Sequence, residues 1–154
     1  WGEIGEIDLA GEAATNSLLA DLAVSKLISS ANDIGSGGLA VCLSRCAMSQ
    51  GIGADIDPMI AVGDDGPHRL DALSIFIEGN GVVVSCAPDA LERIESLAKQ
   101  KKLACMRIGR TTSSKLLRVH AIDGVPFITL NVESARQAYS SALECQLAME
   151  VVTA

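Results

Sequence analysis

The amino-acid sequence predicts an α/β (α+β) domain in which helices pack on a mixed sheet, and three observations carry that reading. Apolar residues recur at helical spacing in several segments, and short β-branched runs lie between those segments. A strand–helix–strand stretch is followed by a hairpin and a closing helix, an order that is partly ferredoxin-like. The 154 residues, 49% of them hydrophobic, suffice for one domain with its own core and fall short of two full-sized ones. Because aromatics make up only 3%, that core has to be aliphatic, with Met and Cys filling gaps.

The elements follow in order. Leu19, Leu22, Ala23 and Leu27 recur every three to four residues, which predicts a helix over 8–29. A polar, glycine-rich break follows at 32–38. A second helix is expected over 38–49, with Leu39, Cys42, Leu43, Cys46 and Ala47 on its buried face, and Gly51 and Gly53 end it. A short strand at 54–56 leads to the clearest loop in the chain, 63–67, and then to a short helix at 69–75. The β-branched run at 82–86 predicts a strand covered on both faces. Pro88 suits the first turn of the next helix, Asp89 and Glu92 stand at its positive end, and Leu91, Ile94, Leu97 and Ala98 form its apolar face. Strands are expected at 103–108, 116–122 and 125–130, the last two joined by Asp123-Gly124 as a hairpin. Asn131 is placed to cap a final helix in which Val132, Ala135, Tyr139, Leu143 and Leu147 keep helical spacing.

Composition excludes several classes of function. The net charge is -7 and the pI about 4.7, so the basic face that nucleic acid demands is missing. The one cationic cluster, Lys99, Lys101 and Lys102, falls at a helix end, where it complements the dipole. Apolar runs stay well below the ~20 residues of a membrane span. The opening WGEIGEIDLA lacks the basic and apolar regions of a signal peptide, and the missing initiator Met suggests a fragment or excised domain. The five cysteines form an odd set without a CxxC pair. Cys42 and Cys46 stand one helical turn apart, but in an apolar stripe with neither His68 nor His120 near in sequence. They therefore read as buried free thiols of a cytoplasmic protein rather than metal ligands.

The stretch ANDIGSGGLAVCLSRCAMSQGIGADIDP holds the candidate site, namely Asn32, Asp33, Gly35, Ser36, Gly37 and Gly38. A loop rich in glycine empties into a helix start, whose first-turn amides lack intrahelical partners and which glycines leave open to an anion. A tight turn that uses glycine for unusual backbone angles is the plainer alternative, and on the residues alone it is the better of the two. Glu78 is a candidate cleft acid or a solvated turn residue. His120 and His68 read as surface residues, and Ser36 has no His–Asp pair to make it a nucleophile.

Over nearly its whole length the chain resembles the C-terminal domain of the aminoimidazole ribonucleotide synthetase superfamily, and within it the second half of the formylglycinamidine ribonucleotide synthetases. IDLAGEAATNSLLADL resembles the family's acidic-start helix, and ANDIGSGGLAVCLSRCAMSQGIGADID its Ala-His-Asp-x-Ser-Asp-Gly-Gly-Leu-Ala loop and helix. LDALSIFIEGNGVVVSCAPDALERI resembles its Leu-Phe-x-Glu block, strand and helix, and MRIGRTTSSKLLRV with FITLNVESARQAYSSAL its closing strands and helix. The resemblance implies a part of an ATP-dependent carbon–nitrogen ligase of purine biosynthesis, in which ATP and magnesium activate an amide oxygen and ammonia from a glutaminase partner displaces it. It implies that the N-terminal ATP-binding domain is missing from this chain, that residues 1–154 form one C-terminal domain, and that this domain catalyses nothing alone. No catalytic or metal-binding residue is assigned to it, and a homo-oligomer is left open.

Asp33, Gly37, Gly38 and Glu78 match the family's loop and acid. Asn32 stands where the family has His, Gly35 where it has Ser, Ser36 where it has Asp, and Gly81 where it has Arg. Asn32 accepts no proton near neutral pH, so an acid–base role there is lost, and these four losses imply a relaxed or structural site. A stand-alone binding or oligomerisation module that kept the fold and lost the chemistry is the competing reading. Another ATP-using member of the superfamily is a third.

Overall fold

The structure is a computed structural model that describes residues 8–57, 74–120 and 124–151. Its elements are α1 (Leu9–Val24), β1 (Ser30–Asp33), α2 (Gly38–Gln50), β2 (Gly53–Ile56), β3 (Val82–Ser85), α3 (Leu91–Gln100), β4 (Gly109–Thr112), β5 (Leu116–His120), β6 (Pro126–Asn131) and α4 (Val132–Val151), with 3-10 turns at Ser74–Phe76 and Pro88–Ala90. They fall into two compact units, the first made of 1–32 and 82–107 and the second of 33–81 and 108–154.

In the first unit the Asp8 carboxylate caps α1 by accepting from the Gly11 amide at 2.9 Å. The helix expected to run to residue 29 stops at Val24. Lys26 turns left-handed (φ 55°), and the Leu27 amide donates back to the Leu22 carbonyl at 2.9 Å, which closes the helix end. The released chain forms β1, a strand missed in the sequence because Ser-Ala-Asn-Asp lacks β-branched residues; its partner in a two-stranded sheet is β3. Every residue of β3 is half-buried, so the expected cover on both faces is not complete. Leu18 and Leu22 of α1 meet Ile94 and Ala98 of α3 in a small core, flanked by Leu27, Ile28, Leu97 and Leu103. The Lys101 ammonium ties the two helices together, 2.9 Å from the Asp21 carboxylate and 2.8 Å from the Ser17 hydroxyl. The lysine thus has a specific partner as well as the helix dipole.

The second unit is built on a four-stranded sheet of order β4-β2-β5-β6. β2 and β5 run parallel, from Ala54 opposite Leu117 to Ile56 opposite Val119, whereas β4 and β6 are antiparallel to their neighbours. The sheet is therefore mixed. The strand expected at 103–108 is not formed; β4 begins at Gly109 instead. Leu103 is taken by the end of α3, where its amide donates to the Ala98 carbonyl at 2.9 Å and its side chain packs on the first unit's core. At the far end, Gly109 lies opposite Ile56 so closely that a Cβ there would sit 2.2 Å from the Asp55 carbonyl oxygen.

Leu39, Cys42, Leu43 and Ala47 of α2 are buried, as their spacing predicts, and Cys46 is half-buried. Leu117 and Val119 are buried while Leu116, Arg118 and His120 between them are half-buried, the alternation of a strand with one core face. The Asn131 side-chain oxygen accepts from the amides of Glu133 and Ser134, both at 3.0 Å, and so caps α4 as expected. The loop at 63–67, His68, most of the helix expected over 69–75 and the hairpin residue Asp123 lie outside the described residues. At the end of that segment, Ser74–Phe76 is a 3-10 turn that buries Ile75.

Candidate functional site

The glycine loop links β1 to α2. Asn32 is half-buried on β1, and Asp33, Gly35 and Ser36 are exposed beyond it. The Ile34 amide donates to the Gly81 carbonyl at 2.8 Å, which pins the start of the loop, and the Gly38 amide donates to the Gly35 carbonyl at 2.9 Å, which closes the turn. Gly37 (φ 85°) and Gly38 (φ 65°) are left-handed, the conformation that favours glycine. Gly35 is not left-handed, and a Cβ there would make only an ordinary contact, 3.6 Å from Asp33 Oδ2. Two glycines rather than three bend the chain. Gly37 is the N-cap of α2 and no side chain caps the helix, so its first turn has no side-chain acceptor.

Gly38 has a second reason to be glycine. A Cβ at that position would stand 2.5 Å from the Ile77 carbonyl oxygen and 2.7 Å from that of Ile75. The start of α2 is thus pressed against the backbone of residues 75–77, and Glu78, exposed, follows directly in the chain. The structure therefore brings the glycine turn and the Glu78 segment to one end of α2. Gly81, where the family has Arg, faces Ile34, whose Cδ1 would be 3.2 Å from an added Cβ.

Cys42 lies one turn into α2. Burial, then Cys46 and the Asp33 charge, push its thiol up to about 12, against a smaller opposing effect of Arg45. Such a thiol stays protonated near neutral pH and is a poor nucleophile. Cys46 is half-buried and its thiol is likewise pushed up, chiefly by burial.

A polar cluster on the sheet was not found from sequence. Asp55 of β2 lies opposite Arg110 of β4 and Arg118 of β5, with Oδ1 3.3 Å from Arg118 Nη1 and 3.6 Å from His120 Nε2, and Oδ2 3.6 Å from Arg110 Nη2. His120 Nδ1 lies 3.1 Å from the Gly124 carbonyl oxygen. His120, read from sequence as a plain surface residue, is part of this ion cluster, its side chain 21% exposed. Partial burial raises the Asp55 carboxyl, but hydrogen bonds from Arg118 and His120 and the charges of Arg118 and Arg110 outweigh it, leaving the group below its ordinary value. A depressed carboxyl contributes stability above its unfolded pKa and loses it as pH falls through the lower folded value. The melting-temperature advantage of the native chain over Asp55→Asn should therefore be full at pH 6 and shrink below about pH 4. Thermal melts of both chains at pH 6 and pH 3 check this; an unchanged gap would count against it.

A family model described as AIR synthase related protein, C-terminal domain, matches residues 6–122. The phosphoribosylformylglycinamidine synthase subunit PurL of Prochlorococcus marinus (strain NATL1A) is 30% identical over 149 residues, which cover 92% of this chain and 18% of that protein. The same subunit of Thermobifida fusca (strain YX) is 33% identical over 143 residues, covering 92% of this chain and 17% of its own. The chain thus spans less than a fifth of the length of these relatives. Among solved structures, T. maritima PurL complexed with ATP is similar with a TM-score of 0.73 at 20% identity, covering 88% of this chain and 23% of that one. T. maritima PurL complexed with FGAR is similar with a TM-score of 0.67, covering 81% and 21%. At that identity the structural likeness shows the fold, a mixed α/β arrangement. The family match spans three quarters of the chain and includes the glycine loop, the Glu78 segment and β5, and by it this chain belongs to the AIR synthase related proteins, through their C-terminal domain.

Proposed function

We propose that residues 1–154 are the C-terminal domain of a phosphoribosylformylglycinamidine synthase, from the second half of that ligase, and that they catalyse nothing alone. The parent enzyme converts formylglycinamide ribonucleotide to the amidine in the cytoplasm, with ammonia from a glutaminase partner, and the two compact units work together as one domain of it. The observation that carries the reading is the family match over residues 6–122, which contains a glycine turn, exposed at Gly35 and Ser36 and buried at Gly38, running into a helix start without a side-chain cap.

In this reading ATP and magnesium are held by the N-terminal domain, and ATP supplies the phosphoryl group that activates the amide. The donor set at the turn, helix-start amides with the exposed Ser36 hydroxyl, fits a phosphate oxygen. Asp33 and Glu78, both exposed, are the acids available at that end of α2. Asn32, Gly35, Ser36 and Gly81 in place of the family's His, Ser, Asp and Arg favour a structural, non-catalytic role for this turn within the ligase.

Two measurements test the reading. An antibody raised against this chain should detect, in extracts of the source cells, a polypeptide several times longer; a band at the length of the chain itself would favour the stand-alone module instead. The isolated chain with formylglycinamide ribonucleotide, ammonia, magnesium and ATP should release no phosphate above a buffer control, and clear turnover would refute the non-catalytic assignment.

A further inference from the structure

We propose that His120 is a proton-operated latch, whose imidazolium ties the turn between β5 and β6 to the Asp55 cluster and whose neutral form lets that turn go. The inference goes beyond the synthase reading and stands whether or not that reading holds.

Both ring nitrogens face an oxygen. His120 Nδ1 lies 3.1 Å from the Gly124 carbonyl oxygen, and Nε2 lies 3.6 Å from Asp55 Oδ1. A carbonyl and an ionised carboxylate only accept, so each nitrogen needs a proton to meet its partner. The imidazolium has two N–H groups and serves both oxygens. Neutral imidazole has one, and it leaves a lone pair facing the other oxygen. The placement coincides with a break in the ladder, since the β5–β6 register shifts between Val119 and His120, and Gly124 turns left-handed (φ 78°) in the same hairpin.

The surroundings decide which contact fails when the proton leaves. Asp55 of β2 faces the ring, and Arg118 of β5 and Arg110 of β4 share that carboxylate with it. β6 carries no ionisable residue, and Asp123 of the turn lies outside the described residues. The two arginines keep Asp55 ionised, so a neutral ring holds its proton on Nε2, toward the charged oxygen, and gives up the one on Nδ1. The Gly124 contact is then the one lost. Asp55 keeps both arginines throughout, so the sheet stays and the change is confined to the turn. A contact that only the protonated form makes is present at low pH and lost as pH rises, across the range where histidine changes charge, about pH 5 to 8. What it releases is an exposed apolar tip, with Val125 60% and Phe127 37% exposed.

The test is a pH titration of the whole chain by NMR, following the His120 ring nitrogens and the Gly124 carbonyl carbon, with the ring signals told from those of His68 by correlation to the backbone. The carbonyl carbon should move with the midpoint of the His120 ring, and the neutral ring should carry its proton on Nε2. On the alkaline side the order parameters of the Gly124 and Val125 amides should fall from about 0.85 to below about 0.6. Asp55→Asn removes the charge that holds the Nε2 proton, so in that variant the ring should still titrate while the Gly124 carbonyl loses most of its response. A carbonyl carbon that does not follow the ring, order parameters unchanged with pH, a neutral ring protonated on Nδ1, or a full carbonyl response in Asp55→Asn would overturn the proposal. The first three are read on the native chain and need no variant to fold.

Discussion

Gly38→Ala should destabilise the second unit by about 2–4 kcal/mol, the sum of a left-handed backbone that alanine disfavours and of overpacking. The overpacking is concrete. The new methyl would lie 2.5 Å from the Ile77 carbonyl oxygen, 2.6 Å from the Phe76 carbonyl carbon and 2.7 Å from the Ile75 carbonyl oxygen. All three are backbone atoms of residues 75–77, in and directly after the turn that buries Ile75, so relief requires moving the segment rather than rotating one side chain. Gly35→Ala is the matched control three residues away. Gly35 has no positive φ and room at 3.6 Å, so its replacement should change stability by less than about 0.5 kcal/mol. Urea denaturation of the two variants reads the difference, and equal losses would mean that the approach of α2 to residues 75–77 is looser than described. Because Glu78 follows that turn, Gly38→Ala should also disturb the amide resonances of residues 75–80, which Gly35→Ala should leave in place.

This contrast also marks what the sequence could and could not disclose. Helices α2, α3 and α4 were legible because their signals are local. Leu39, Leu43 and Ala47 repeat at helical spacing, Pro88 opens the turn before α3, and Asn131 caps α4. Strands β1 and β4 were not legible. Ser-Ala-Asn-Asp carries little β propensity of its own, Gly-Arg-Thr-Thr has two threonines but no apolar alternation to announce a strand, and both take their conformation from pairing with β3 and β2, partners far away in the chain. The extended-looking run at 103–108 misled for the same reason, since Leu103 is claimed by the end of α3. The glycine turn was legible as a turn but not in its cause. On the residues alone a tight turn was the better reading than an anion-facing loop, but the tightest demand on Gly38, an approach by the chain's own backbone at residues 75–77, is not written in the local sequence. The Asp55 cluster was hidden altogether, because nothing in one sequence states that β2 sits between β4 and β5 in a register that sets Asp55 opposite both Arg110 and Arg118.

Leu22→Ala should be the most damaging substitution in the first unit, costing about 2–5 kcal/mol in lost transfer energy and residual cavity. Leu22 is 1% exposed, and among the described residues the buried members of its core are Leu18, Ile94 and Ala98 beside it. Its backbone is engaged as well, since the Leu22 carbonyl accepts from the Leu27 amide where Lys26 turns left-handed. So small a core has little around it to collapse into the space a leucine vacates, which places the expected loss toward the upper end of that range. Leu9→Ala on the same helix, at a position 74% exposed, should change stability by less than about 0.5 kcal/mol. Urea denaturation gives the size of the effect and native-state amide exchange its location, with faster exchange expected in α1 and α3. A loss no larger than that of Leu9→Ala would show that α1 is not held through Leu22, and the α1–α3 core would then have to be drawn differently.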